Sequence, residues 1–409
     1  MKFGMNLPPH FRVFAAFAVY SFCLGNIFPR LPDIQHQMGV GEGALGLALS
    51  GTPVGTLISL TFAAPLLEKI GFRRFLLAAI PLLAIFYAIA VYAPSPLLFF
   101  FLLIPVGLII GVIEMIINTE ADRVEHQVGF RIMNRAHAFW SIGFFAAGLF
   151  GSWMAQLGIS PQLHLAIVVP IGIVAVAMLL GRFEAAPHRT GGNTNAAPRF
   201  AAPTGGIMVL VAVTLSAMLL EGGSMDWSAI YMRNIFSPGP FVTGVAVACF
   251  AFSQAATRFF ADGFVERHSP EVVARALMAI LLVGTLVVFF SPAPILSLVG
   301  FALAGIGTSA IFPLAMSAAA QRSDRPAVIN VAALAQNSFV VFLLGPPLLG
   351  VIAQAFGIRW SFGVGLPLIA LSFVLAGALG KKPVVREASR AEQGGASHRS
   401  TDADPRRDD

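Results

Sequence analysis

An acidic residue in the middle of a long apolar stretch is the first feature of this sequence that could do chemistry. Glu114 stands about seventeen residues into such a stretch. Gly107, Gly111, Glu114 and Asn118 follow helical spacing and therefore share one face, which we interpret as the wall of a polar cavity. An ionised carboxylate within a bilayer costs roughly 2.5–3.5 kcal/mol or more, so it persists beside water or a partner. We interpret Glu114 and Asn118 as proton- or substrate-coupling residues; the alternative is a carboxyl held permanently by a neighbour.

A histidine follows in the next apolar stretch. Asn134, His137 and Ser141 share a helical face, and His137 lies at a depth comparable to that of Glu114. A buried Glu–His pair can exchange a proton near neutral pH, so we expect His137 to tune Glu114. An ordinary hydrogen bond between helices explains His137 equally well.

A third group of polar residues lies in the second half of the chain. Glu221 shares a face with Ser224 and Ser228; we place this face on the cavity and interpret Glu221 as a further proton- or substrate-coupling residue. Asp226 is turned about 140° from Glu221 and, with Trp227, is interpreted as an interfacial anchor or outer gate. Further candidates for hydrogen bonding to a polar solute, or else for contacts between helices, are Asn26, Gln254 and Asn337.

These residues must be positioned by membrane helices. The chain has 409 residues, of which 57% are hydrophobic and 11% charged. Soluble proteins carry about 25% charged residues, so the composition excludes an ordinary soluble enzyme or a disordered protein. Spanning a bilayer takes about 20 helical residues. Twelve stretches qualify and predict an all-α membrane protein: 11–31, 43–67, 74–93, 97–119, 134–157, 162–181, 206–231, 241–261, 273–291, 294–319, 327–355 and 359–379.

The basic residues predict the orientation of these helices. Three of the 26 Lys and Arg residues, namely Arg30, Arg233 and Arg359, fall on one side, and the other twenty-three fall on the side of both termini. The positive-inside rule therefore places both termini in the cytoplasm of a multi-pass protein of the plasma (inner) membrane. This distribution also explains the net charge of +6 without nucleic acid as a partner. Three tryptophans fall near the outer boundary, as an aromatic belt would: Trp153, Trp227 and Trp360.

The chain divides into two halves of six helices. Residues 1–181 form the first bundle and 206–380 the second, joined by a Pro-, Gly- and Ala-rich segment, 182–205, that reads as a flexible cytoplasmic linker. Residues 381–409 are polar and are expected to form a disordered cytoplasmic tail.

Each half has an acid followed by bases where its second helix ends. The charged turns suit a cytoplasmic gate whose pairs form and break, and their residues are Glu68, Lys69, Gly71, Arg73 and Arg74 in the first half and Arg258, Asp262 and Arg267 in the second. The first turn resembles the loop signature of the major facilitator superfamily, with Glu68 and Lys69 in place of Asp and Arg. The resemblance implies two pseudo-symmetric bundles, with helices one, four, seven and ten around a cavity and helices three, six, nine and twelve towards lipid.

A narrower resemblance covers residues 111–148. Fucose-permease-like members carry Gly-x-x-Glu-x-x-x-Asn in the fourth helix and then an Arg-rich turn, matched here by Gly111, Glu114, Asn118 and Arg131. This resemblance implies that Glu114 takes part in proton coupling. The permease also has an acid in its first helix, where this chain has Gly25.

We therefore expect a secondary active transporter that takes up a small polar solute, such as a sugar or related metabolite, by proton symport and alternating access. The alternatives are a proton-coupled exporter of drugs or metabolites, and a sensor or scaffold that binds without flux. No nucleotide-binding loop and no metal-ligand spacing of His or Cys occurs in the sequence. We accordingly expect no enzyme activity, cofactor or metal, and a monomer whose partners are its solute, protons and the bilayer.

Overall fold

The computed structural model describes residues 4–63, 71–187 and 201–380. These residues form helices and no strands, so the all-α prediction is confirmed. Twelve helices are long and apolar enough to cross a membrane: α1 (Pro9–Met38), α2 (Glu42–Phe62), α3 (Phe72–Ala90), α4 (Pro96–Val128), α5 (Met133–Gln156), α6 (Pro161–Leu180), α7 (Gly205–Phe236), α8 (Pro240–Arg267), α9 (Pro270–Phe290), α10 (Pro294–Ala320), α11 (Ala327–Phe356) and α12 (Ile358–Leu379).

Several helices are longer than the hydrophobic stretches that predicted them. Helix α4 continues to Val128, nine residues beyond the predicted end at 119, and Gly129 ends it with a left-handed backbone conformation (φ 76°). Glycine adopts this conformation without steric cost, which is why it commonly ends helices. Hydropathy predicts where the bilayer ends, whereas a helix ends where its hydrogen bonds are capped. The predicted boundaries were therefore wrong at such ends.

The two ends of the bundle differ in how the halves meet. We call the end where α1 begins and α12 finishes the proximal end, and the opposite end the distal end. Helices α5 and α8 pack together between the halves, and the first part of α2 packs against α11 near the distal end. In the described part of the chain, α4 and α10 have no extensive packing against the opposite half. We call the region between α4 and α10, where the two halves are not packed together, the cleft.

The crossing of α2 and α11 depends on two glycines. A Cβ atom on Gly46 would collide with the Pro346 carbonyl oxygen, and one on Gly350 would collide with the Glu42 carbonyl oxygen. Small residues let helix backbones approach closely in membranes. The sequence thus permits a backbone contact between the two halves here.

Hydrogen bonds between the halves close the distal end. Arg233 at the end of α7 donates to the Pro32 carbonyl oxygen and to Gln35 Oε1, the latter at 2.6 Å. Asn234 Nδ2 donates to Glu42 Oε1 at 2.7 Å. The other two bonds run from Gly43 N to Gln354 Oε1 (3.0 Å) and from Phe241 N to Gln156 Oε1 (3.2 Å). We call this group of contacts the distal closure.

The first part of the predicted flexible linker is bound to the first half. Arg73 donates to the carbonyl oxygens of Gly181 and Phe183 at 2.8 and 2.9 Å. The buried Glu120 carboxylate accepts the Ala186 amide at 2.6 Å. These first residues therefore have partners in the first half, and the flexible cytoplasmic linker stays a prediction.

The last part of the same segment is bound to the second half. The Ala201 amide donates to Gln336 Oε1 at 3.0 Å, and Thr204 Oγ1 donates to Asp324 Oδ2 at 3.2 Å. Hydrogen bonds from Arg322 and Asn330 lower the pKa of Asp324 to about 2. This part of the linker thus has fixed partners as well, although the domain boundaries at 181 and 206 stay predictions.

The predicted aromatic belt is correct in position for two of its three tryptophans. The side chains of Trp153 and Trp360 are about half exposed at the distal end. Trp227, in contrast, is 0% exposed and lies against Gly350, so its assignment to the belt was wrong. Helix α7 extends to Phe236, which places Trp227 more than two turns below the distal end.

Candidate functional site

Glu114 is held by hydrogen-bond donors within the first half. Asn118 Nδ2 donates to Glu114 Oε2 at 2.9 Å, one helical turn along α4. Tyr20 on α1 lies close enough to the same carboxylate to hydrogen-bond with it, and Trp140 on α5 lies beside the Tyr20 hydroxyl group. Three helices thus converge on one partly exposed carboxylate, and we call these four residues the Glu114 cluster. A carboxyl group with two neutral donors can bind and release a proton without losing its place.

The glycines on the predicted cavity face of α4 do not line a cavity. A Cβ atom on Gly107 would collide with the Thr52 carbonyl oxygen, and one on Gly111 would collide with Ser59 Oγ. Both glycines therefore permit close packing of α4 on α2, and their assignment to the cavity was wrong. The predicted cavity face of α4 therefore has two parts. Gly107 and Gly111 contact α2, and Glu114 and Asn118 lie further along α4, beyond that contact.

His137 does not pair directly with Glu114. Among the described residues, its ring packs edge-on against Phe17, with centroids 5.1 Å apart, and no hydrogen bond joins it to the Glu114 carboxylate. The expected pair of Glu114 and His137 is thus absent. The Glu114 carboxylate instead interacts with Asn118 and Tyr20. Asn134, one turn earlier on α5, is exposed. A role of either residue in coupling stays a prediction.

A second cluster lies between α5, α7 and α8. Arg258 Nη2 on α8 is 3.4 Å from Glu221 Oε1 on α7, and the two side chains are 17% and 15% exposed. Arg258 also donates from Nη1 to Ser141 Oγ on α5 at 3.0 Å. Gln254 Nε2 donates to Glu221 Oε1 at 2.9 Å. We call Ser141, Glu221, Gln254 and Arg258 the Glu221–Arg258 cluster; it joins the two halves because Ser141 belongs to the first.

A proline on α10 supplies another anchor for Arg258. Pro313 has no N–H, so the Ser309 carbonyl four residues earlier lacks its helical donor. Arg258 Nε donates to this carbonyl at 3.2 Å, where α10 is interrupted between Thr308 and Ile311. The guanidinium is thus fixed on three sides. Its assignment to a gating loop at the rim was wrong, because the side chain points into the bundle.

Two other cavity candidates have different surroundings. Asn26 is 0% exposed, donates to the Phe22 carbonyl at 2.7 Å and contacts His164 Nε2 on α6 at 2.9 Å. It joins helices of one half, and its assignment to the cavity was wrong. Asn337 on α11 is partly exposed and donates to the Ala333 carbonyl at 2.8 Å, so it stays a candidate.

The gating-loop residues are only partly described. Glu68 and Lys69 lie outside the described residues, as does the side chain of Asp262. Gly71 precedes α3 with φ 87°, a conformation that favours glycine, and Arg74 and Arg267 are exposed. Arg73 binds the end of α6 and not an acid. A gating role for these residues remains a prediction.

The polar residues of α7 are arranged differently from the prediction. Ser224 and Ser228 are at most 1% exposed, so they face the core of the second half and not a cavity. Asp226 is partly exposed and lies within electrostatic range of the Tyr87 hydroxyl on α3, in the opposite half. Its assignment as an interfacial anchor or outer gate stays a prediction. Helical spacing predicted the 140° between Glu221 and Asp226 but not which of the two faces the first half.

Sequence reasoning missed two members of the Glu114 cluster, Tyr20 and Trp140. Tyr20 is one of only four tyrosines in a chain with 36 phenylalanines, so its hydroxyl group in an apolar helix was the available signal. Among the described residues, no group of three or more His, Cys, Asp or Glu side chains is placed to hold a metal ion.

Comparison with known proteins gives consistent matches. The family model described as Major Facilitator Superfamily matches residues 13–222 and 207–403. The transporter y4wD of Sinorhizobium fredii is 28% identical over 377 residues, which cover 91% of this chain and 98% of that protein. The membrane protein MosC of Rhizobium meliloti is 23% identical over 351 residues, covering 85% and 83% respectively.

Solved structures share the fold. The nucleoside transporter NupG superposes with a TM-score of 0.65 at 14% identity, covering 91% of this chain and 98% of that chain. The transporter FucP in its outward conformation gives a TM-score of 0.61 at 17% identity, covering 92% and 99%. At these identities the likeness concerns the arrangement of helices.

Proposed function

The chain belongs to the Major Facilitator Superfamily, and from this premise we propose that it is a proton-coupled secondary transporter that takes up a small polar solute by alternating access. Its family and relatives are transporters and not enzymes. We further propose a fucose-permease-like member that works as a monomer in the inner membrane, with both termini in the cytoplasm.

The Glu114 cluster carries this proposal. A carboxylate in mid-membrane is retained where it has partners or lines a water-filled path. Glu114 has both: two hydrogen-bond donors and partial exposure beside the cleft between the halves. Its donors are neutral, so no fixed cation locks the group in its ionised form. Such a carboxyl group suits proton uptake on one side of the membrane and release on the other.

The Glu221–Arg258 cluster supports alternating access. Its bonds cross from α5 to α8, where the two halves pack. A solute that binds beside this cluster can exchange hydrogen bonds with Gln254 or Ser141. Transporter sites are commonly formed near the midplane between two such repeats.

Transport into proteoliposomes under an imposed pH gradient tests the proposal. A thermal-stability screen of sugars, organic acids and amino acids at two pH values first identifies a ligand, whose radiolabelled form is then used. We expect the wild type to accumulate this ligand when the outside is more acidic. Glu114→Gln should bind the ligand but lose gradient-driven accumulation, because an amide cannot carry the proton.

The matched control is Asp122→Asn, which removes an exposed acid from the proximal end of the same helix. This variant should accumulate ligand like the wild type. Intact gradient-driven accumulation in Glu114→Gln would contradict the coupling role. Ligand extrusion driven by the gradient would contradict the direction of transport.

A further inference from the structure

Asp226 lies on the face of α7 that is turned towards the first half. It precedes Arg233 by seven residues, which places both side chains on one helical face, two turns apart. Arg233 binds Pro32 and Gln35 of the first half in the distal closure. Asp226 therefore points across the cleft, directly beneath the contacts that close its distal end.

The surroundings of Asp226 agree with this placement. Its carboxylate lies within electrostatic range of the Tyr87 hydroxyl on α3. Tyr87 in turn lies within range of Tyr20, a member of the Glu114 cluster. Asp226 of the second half is thus linked to the first half through Tyr87, which neighbours the Glu114 cluster.

Asp226 differs from the other two central acids in its partners. Glu114 accepts hydrogen bonds from Asn118 and Tyr20, and Glu221 is paired with Arg258. No residue in the described ranges donates a hydrogen bond to the Asp226 carboxylate or forms an ion pair with it. Of these three acids, Asp226 is therefore the one that has no hydrogen-bond donor or ion-pair partner in the described ranges.

The charges of the region indicate what that partner is. The middle of the described helices holds three acids and one guanidinium, Arg258, which Glu221 already engages. In its ionised form Asp226 would repel an anionic solute, and a neutral solute would leave that charge without a partner. A positively charged group on the solute would compensate it.

We propose that Asp226 is a solute-binding residue whose carboxylate pairs with a positively charged amino group, so that the transported solute is a polar amine. This proposal rests on the proposed transport function and names its substrate class. The solute would bind between Asp226 of the second half and the Glu114 cluster of the first. Arg233, which closes the distal end, lies on the same face of α7 as Asp226. Closing the distal end would therefore enclose a solute bound at Asp226.

Binding to the purified full-length protein in detergent, without a gradient, tests the charge preference. The probes are two matched pairs, glucosamine with glucose and ethanolamine with ethylene glycol, at neutral to slightly basic pH, where the carboxylate is ionised and the amines still carry a proton. We expect at least one amine to stabilise the wild type against heat more than its hydroxyl counterpart. In Asp226→Asn the dissociation constant of that amine should rise roughly 30-fold or more, to the level of the hydroxyl compound.

Two further variants separate binding from folding. Asp226→Glu keeps the charge and should keep the preference for the amine. Asp122→Asn removes an exposed acid at the proximal end of α4 and should bind like the wild type. The proposal is overturned if neither amine stabilises the wild type more than its counterpart, or if a folded Asp226→Asn protein retains the preference.

These outcomes are independent of the proton-coupling test. Loss of the amine preference with intact coupling through Glu114 would reject the substrate class alone. The opposite result would be an amine preference that depends on Asp226, together with ligand accumulation that persists in Glu114→Gln. It would reject the coupling role alone.

Discussion

At the scale of single residues, Glu221 and Arg258 stand out because they form an ion pair in which both charged side chains are largely buried. Both side chains are largely buried, at 15% and 17% exposure, and their charged atoms are 3.4 Å apart. Removing one member of a buried pair leaves an uncompensated charge, which is far more costly than removing both. The two residues should therefore show strong energetic coupling.

Double-mutant analysis measures this coupling. Glu221→Gln and Arg258→Met should each destabilise the protein by about 3 kcal/mol, because each leaves one buried charge without its partner. The double variant should cost clearly less than the two single changes together. The stabilities of the wild type, the two single variants and the double variant are compared by thermal unfolding in detergent. Additive effects would indicate that the two charges do not interact appreciably.

The sequence predicted some features of these residues and not others. Spacing along α4 predicted that Glu114 and Asn118 share a face, and they hydrogen-bond. It could not predict Tyr20, which lies on another helix 94 positions earlier in the chain. Likewise, helical geometry fixes the angle between Glu221 and Asp226 but not the rotation of α7 in the bundle. That rotation is set by packing, for example of Trp227 against Gly350.

At the scale of helices, the crossing of α2 and α11 holds the distal end together. Gly46 and Gly350 allow the backbones to touch, and the hydrogen bond from Gly43 N to Gln354 lies beside them. Hydropathy located both helices but carried no information on their contact. Glycine has many uses in membrane helices, so the partner of Gly46 could not be read from the sequence.

Enlarging Gly46 should keep the distal end from closing. Cysteines introduced at Glu42 and Asn234, whose side chains are hydrogen-bonded at 2.7 Å, report closure through the yield of a short bifunctional cross-linker. Cys23 and Cys249 are first replaced by Ser. Gly46→Leu should lower the yield several-fold, because its side chain would collide with Pro346.

A glycine with free space around it provides the control for this cross-linking. A Cβ atom on Gly263 meets nothing within 4 Å, so Gly263→Ala should leave the yield unchanged. An unchanged yield in Gly46→Leu would show that the crossing does not control closure.

At the scale of the whole molecule, the charge distribution predicts how the bundle sits in the membrane. Arg30, Arg233 and Arg359 lie at the distal end, and all three donate to backbone carbonyl oxygens. Most other basic residues of the described ranges lie towards the proximal end. Excess Lys and Arg remain in the cytoplasm during insertion, so the proximal end should face inward.

Fusions to alkaline phosphatase test this orientation, because the enzyme is active only outside the cytoplasm. A fusion after Gly239, in the distal loop between α7 and α8, should be active. Fusions after Pro187 and after Gly380 should be inactive, and green fluorescent protein at the same sites should give the reverse pattern. Activity after Gly380 would invert the predicted topology.

The attachments of Ala186 and Ala201 set the mechanical freedom of the two halves. Each residue is bound to its own half, and fifteen peptide steps separate them. Fully extended, such a tether reaches about 50 Å, well over the ~30 Å thickness of the hydrocarbon layer. The chain length between Ala186 and Ala201 therefore does not limit how far the two halves can move apart.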